Sequence, residues 1–208
     1  MSPLHHPSDD LLLDLAAGRF EHGPALVLRA HLHACPACRA AAAGFEAVGG
    51  ALLQALPAAQ MEPDALDRAL ARIETPAAAP AAKIEVGLPR MLAGQAFGPR
   101  RWVAPGLWLR RLQAAPGERF NTYLLHASPG WRFPRHSHAG AEYVCVIEGG
   151  FSDSTGCYVT GDFAEGDGDL VHEPLAEPGE ACLCLISSEG RMRMHGLIAR
   201  VMQPLVGL

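Results

Sequence analysis

Residues 31–40 read HLHACPACRA and set an imidazole and two thiols, His31, Cys35 and Cys38, four and then three positions apart. On one continuous helix these three share a face. If Pro36 breaks the helix, the Cys-Pro-Ala-Cys turn still folds both sulfurs toward His31. Thiolates and imidazoles are the usual ligands of zinc, which in structural sites takes four of them in a tetrahedron. Three are local, so a fourth must come from elsewhere, and His5 and His6 are the leading candidates. A ligand there would staple the first helix onto the corner between the second and third. Two plainer readings compete. A thioredoxin-type redox pair expects a preceding strand and a βαβ context, whereas the residues before Cys35 look helical. Two buried core thiols are the other reading. The number of soft ligands close together favours zinc. His33 is expected to point away and be solvated.

The stretch GWRFPRHSHAGAEYVCVIEGG carries a second cluster: His136, His138 and Glu142. The three share parity, so on an extended strand they would face one side, provided Gly140 introduces no bulge. A later segment, GDFAEGDGDLVHEP, brings His172. Three imidazoles and a carboxylate inside a β-barrel would make a site for zinc, iron, manganese or nickel. Two histidines and a glutamate at matched parity argue against solvated turn residues beside Pro134. His22, His126 and His195 have no such company and are expected to be structural or solvated. Cys182 and Cys184 share a strand face, either as core or as redox-sensitive thiols near the metal.

The elements that would hold these clusters fall into two halves. Over 1–75 the pattern is helical. Ser8 is a candidate N-cap, with Asp9 and Asp10 in the first turn and Leu11, Leu12 and Leu15 as an apolar face stopped at Gly18. A second helix starts near Pro24 and runs through ALVLRAHLHA to Pro36. A third continues from Pro36 through CRAAAAGFEAVGGALLQAL, and PDALDRALARIE makes a fourth, with Leu66, Leu70 and Ile73 at helical spacing. An alanine-proline linker containing TPAAAPAAK follows, over 76–90. Beyond it, short apolar runs alternate with glycine and proline turns: RWVAPGLWLRRL, FNTYLLHA, YVCVIEGGF, CLCLIS and HGLIARVM. That spacing predicts a β-sandwich or barrel over 91–208. The expected class is therefore α+β in two domains, a small four-helix zinc-binding bundle and a jelly-roll-like barrel.

Bulk properties narrow the function. With 49% hydrophobic and 19% charged residues, the 208-residue chain can bury a core. A net charge of −5 without a basic face argues against direct nucleic-acid binding. No apolar run is long enough to cross a membrane, and MSPLHHPSDD lacks the layout of a signal peptide. The expected location is the cytoplasm, where six cysteines are thiols or metal ligands rather than disulfides.

The residues also carry a resemblance. Gly130, five residues, His136-x-His138, three residues, Glu142, six residues and Gly149 resemble the first cupin motif throughout. Gly161 to His172 resembles the second, with Asp167 and Asp169 in the motif's proline and inner-glycine positions and Ala176 in that of its closing asparagine. His31-x3-Cys35-x2-Cys38 resembles the zinc-binding anti-sigma domain. The two in this order, after the opening HHPSDDLLLDLAAG, look like the ChrR-type anti-sigma factors. That resemblance covers almost the whole chain. It implies a zinc site completed by a histidine before the first helix, here His6 rather than His5, with His31, Cys35 and Cys38. It implies a metal on His136, His138, Glu142 and His172 of a cupin β-barrel. It further implies a regulator in which the helical domain binds and inhibits a group IV (ECF) sigma factor. The cupin would sense oxidative stress, singlet oxygen or organic peroxides, and so release it.

The competing class is a cupin enzyme, a dioxygenase or isomerase, with an accessory helical zinc module. Four protein ligands close a tetrahedral zinc site but leave two positions open on octahedral iron or manganese. The helical zinc domain discriminates, since a sigma antagonist needs it and an enzyme does not. A module that only dimerises the cupin is the remaining alternative.

Overall fold

The computed structural model describes residues 2–74, 89–113 and 116–195. Most of the 76–90 linker and of the expected strand HGLIARVM lies outside them. Four helices come first: α1 (Asp9–Ala16), α2 (His22–Ala34), α3 (Pro36–Gln54) and α4 (Ala65–Glu74). The Ser8 side chain caps α1 by accepting from the Leu11 amide. Cys35 lies between α2 and α3 in extended backbone, with Pro36 at the first position of α3. The proline therefore ends one helix and starts the next, since a missing amide costs nothing at a helix start.

After a 3-10 turn at Arg90–Leu92 come β1 (Arg101–Ala104), β2 (Leu107–Arg111), β3 (Phe120–Ala127), β4 (His136–Ser137), β5 (Glu142–Glu148) and β6 (Gly150–Ser152). The remaining strands are β7 (Cys157–Val159), β8 (Phe163–Gly166), β9 (Leu175–Ala176), β10 (Cys182–Glu189) and β11 (Arg193–Met194). A six-stranded antiparallel sheet in the order β1-β2-β3-β10-β5-β8 forms one wall of a barrel-like body, and the smaller sheets β11-β4 and β7-β6-β9 complete it.

The large sheet is buried on both faces. Tyr123, Leu125, Val144, Val146, Cys182, Cys184 and Ile186 fill the barrel interior. Their strand neighbours Leu124, Tyr143, Cys145, Ile147, Leu183 and Leu185 pack outward with Leu26, Val27, Leu28 and Ala30 of α2 in one core. That explains why YVCVIE and CLCLIS are unbroken apolar runs, and why α2 is apolar nearly all round. At the start of α2 the approach to the sheet is so close that a Cβ on Gly23 would collide with Thr122 Oγ1. The helices are thus clamped to the barrel through α2, while the large apolar side chains of α3 beyond Phe45 and of α4 are exposed.

Candidate metal centres

The first cluster forms where the N-terminal segment crosses the α2–α3 corner. Ligand-type atoms of His6, His31, Cys35 and Cys38 all lie within 4.8 Å of one another. His6 Nδ1 is 3.5 Å from Cys35 Sγ and 3.4 Å from Cys38 Sγ. Tetrahedral zinc with its usual bond lengths separates nitrogen from sulfur by about 3.5 Å, so the spacing fits. His31 is fully buried; its Nδ1 donates to the Gly161 carbonyl at 2.7 Å, and its Nε2 has no hydrogen-bond partner. A buried imidazole nitrogen with a free lone pair facing two thiols suits a cation. Burial, reinforced by Cys35, pushes the Cys38 thiol up to about 12. A bound divalent ion would reverse that by stabilising the thiolate. His5 turns the other way, onto Asp162 and Tyr158. Of the two candidate histidines, His6 is the one beside the sulfurs.

The second cluster sits at one end of the barrel. Imidazole nitrogens of His136, His138 and His172 lie within 4.8 Å of one another. His136 Nδ1 donates to the Pro134 carbonyl at 2.8 Å and His172 Nδ1 to Asp153 Oδ2 at 2.9 Å. Both rings therefore present Nε2 lone pairs, and these face each other at 3.0 Å. Two acceptors at that distance repel unless a proton or cation lies between them. Glu142 closes one side, with Oε1 3.1 Å from His138 Nε2 and Oε2 3.9 Å from His172 Nε2. Burial holds His136 down to about 4 and His138 down to about 3, so both rings are neutral, as metal ligation requires. Burial pushes Glu142 up to about 7.

These four residues do not line one strand. His136 is in β4 and pairs with Met194 of β11, whereas Glu142 opens β5 in the large sheet. A bend at Ala139–Gly140 carries the chain from one wall to the other. Convergence comes from two sheets facing each other rather than from strand parity. His172 arrives through a two-way backbone bridge with His136. Upstream, the Asp167 carboxylate accepts from the Asp169 and Leu170 amides, so the departure from the second cupin motif itself builds the turn.

A family model described as the ChrR cupin-like domain matches residues 97–190. The anti-sigma-E factor ChrR of Cereibacter sphaeroides is 32% identical over 209 aligned residues, covering 98% of each chain. The crystal structure of Rhodobacter sphaeroides SigE in complex with the anti-sigma ChrR contains a chain that superposes with a TM-score of 0.73 at 30% identity. The match covers 89% of this chain and 98% of that one. The chain belongs to the ChrR family of anti-sigma factors. The curated relative is a regulator and not an enzyme.

Within this ChrR-family fold, two buried carboxylates beside the clusters escape sequence reasoning. Asp153 accepts from His172 and is itself held by the Thr155 amide and hydroxyl. Burial alone would raise its pKa, but the His172 and Thr155 bonds outweigh that and bring it down to about 2. The Asp-x-Thr turn is legible at 153–155, but its meeting with a histidine 19 residues later is not. Asp162 bonds the N-terminal segment across 157 residues. Cys182 and Cys184 line the same small cavity as His136, Glu142 and His172, with their sulfurs 3.5 Å apart. They are both core and neighbours of the histidines. His126 stacks on Trp108, His22 meets Gln95 and His195 meets Ser137, outside both clusters.

Proposed function

We propose that this chain is an anti-sigma factor that binds and inhibits a group IV (ECF) sigma factor and releases it under oxidative stress, by singlet oxygen or organic peroxides. In this reading residues 1–75 form the sigma-binding domain, with zinc on His6, His31, Cys35 and Cys38. Residues 91–208 form the cupin sensor, with zinc or another divalent metal, iron, manganese or nickel, on His136, His138, Glu142 and His172. Zinc at the N-terminal site would supply only a fixed tetrahedral crosslink. The polypeptide does the rest, by holding the N-terminal segment, α2 and α3 at one corner. The action takes place in the cytoplasm, away from membrane and DNA; among the described residues no helix is long and apolar enough to cross a membrane.

One observation carries the reading. Val48, Leu52, Leu53, Leu56, Leu66, Leu70 and Ile73 leave apolar surface exposed along the end of α3 and along α4. An amphipathic helix whose large apolar side chains stay exposed among the described residues is a candidate docking element. In the related complex, the partner of ChrR is SigE. The test is co-expression with a candidate sigma factor and transcription from its promoter. Stable co-purification and repression support the reading, and a sigma factor that stays free and active sinks it.

The cupin-enzyme alternative has one observation behind it, the cavity beside the histidines. Its volume of about 60 Å³ is well below the ~150 Å³ that admits benzene. Its inner space matches a molecule the size of dioxygen or a small peroxide, and an open groove of about 470 Å³ lies on the other side of His172 and Asp153.

A further inference from the structure

The N-terminal cluster draws its supporting contacts from the barrel. Asp162 follows β7 and is completely buried. Its Oδ1 accepts from the Leu4 amide at 2.6 Å and the His5 amide at 3.2 Å. Its Oδ2 accepts from the Val159 amide at 3.0 Å and from His5 Nδ1 at 3.0 Å. A buried carboxylate needs such partners to offset its lost hydration. Three of the four come from the two residues immediately before His6. The backbone adds a fourth tie to that segment, from the Phe163 amide to the His5 carbonyl at 3.1 Å. Pro3 and Pro7 are buried on either side of these residues and His5 packs on Tyr158, while Leu4 is 72% exposed and His6 is exposed.

The neighbouring residue acts on His31. Gly161 adopts φ +93°, a left-handed conformation that suits glycine. Its carbonyl accepts a hydrogen bond from His31 Nδ1–H and so fixes the tautomer that leaves Nε2 for a metal. A Cβ at Gly161 would lie 3.0 Å from Pro3 and 3.1 Å from Ala34, the residue before Cys35. One turn of the barrel therefore touches both sides of the cluster. The same turn is tied to the middle of β5, through Val146 N to Asp162 O and Gly161 N to Val146 O, and β5 begins with Glu142.

We propose that the Gly161–Asp162 turn of the cupin barrel is the outer shell of the N-terminal metal site, with Asp162 a positioning residue that presents His6 and Gly161 one that orients His31. This rests on the reading of His6, His31, Cys35 and Cys38 as ligands. It makes the metal affinity of the sigma-binding part a property of the whole chain.

The probe is cobalt(II) titrated into metal-free full-length protein. Thiolate-to-cobalt charge transfer reports the cysteine site alone, because the cupin cluster offers no thiolate ligand. Asp162→Asn keeps one acceptor but turns an NH2 group toward the Val159 amide. It should weaken cobalt binding at the thiolate site by about 10–100-fold, as loss of outer-shell partners does. Cobalt affinity at the cupin site should stay unchanged, which general destabilisation would not allow. His5→Ala removes one arm and should give a smaller loss of the same kind. Thiolate-site affinity within twofold of wild type in Asp162→Asn would overturn the proposal. Should that variant not fold, hydrogen exchange on the zinc-loaded wild type decides: the Leu4 and His5 amides should be protected like Phe163, and exchange at unfolded rates overturns it. Wild type with no charge-transfer band would overturn the ligand set itself, and this inference with it.

Discussion

Replacing Leu66 and Leu70 with glutamine isolates the docking role of α4 from its folding. The two leucines are 67% and 48% exposed, together a little more than one whole side chain still to be buried by a partner. Burying a full leucine is worth ~1.5–3 kcal/mol, so the pair should contribute about 2–3 kcal/mol to the complex, or roughly 30–200-fold in Kd. Glutamine has nearly the helix propensity of leucine, so α4 should persist. Both sites are solvated in the free chain, and the thermal midpoint should stay put, as for surface substitutions worth within about 0.5 kcal/mol. The assay is titration of fluorescently labelled sigma factor with wild type and L66Q/L70Q, with circular dichroism as the control. A double variant that is folded and binds as tightly as wild type would refute α4 as the contact.

Three further perturbations address the metal sites and the clamp. Cys35→Ser with Cys38→Ser should lower bound metal from about two equivalents to about one and abolish sigma binding, because folding of a small metal-stapled unit is coupled to its ion; metal analysis beside a pull-down reads both, and two retained equivalents would refute the ligand set. At the cupin site the metal competes with the Glu142 proton, held up at about 7, while His136 and His138 are already neutral. Lowering the pH through 7 protonates the carboxylate, so apparent affinity should be about tenfold weaker at pH 6 than at pH 8. Chelator competition across that range checks it, and a flat profile contradicts it. Gly23→Val forces a side chain into Thr122 and should cost about 1–3 kcal/mol of stability by denaturant unfolding.

The two clusters were legible because candidate metal-binding residues fall at short spacings. His31, Cys35 and Cys38 fall within eight residues, and Pro36 marks the corner that turns both sulfurs inward. The ends of the helices followed from local chemistry too, Ser8 as a cap and Gly18 as a stop. The cupin candidates were read through a parity argument whose geometry does not hold, since β4 and β5 belong to different sheets. Residue types can be right where the path between them is not: Gly140 marked the place where the parity could break, and the chain bends at Ala139–Gly140. Asp162 and Asp153 stayed hidden for a different reason. Each is a lone acidic residue whose role depends on partners fixed only by tertiary packing. Burial of α2 against the sheet was written in ALVLRAHLHA, an apolar run too continuous for a one-sided surface helix.

The central claim is that the barrel senses and the helices hold. His136→Ala with Glu142→Ala removes two cupin ligands without touching α3, α4 or the cysteine cluster. Sigma retention and oxidant-triggered release should be measured on this variant in cells and with the purified complex. The account predicts a complex that forms as in wild type and no longer dissociates or induces transcription when singlet oxygen or an organic peroxide is applied. A variant that releases its sigma factor normally under the same oxidant would contradict it.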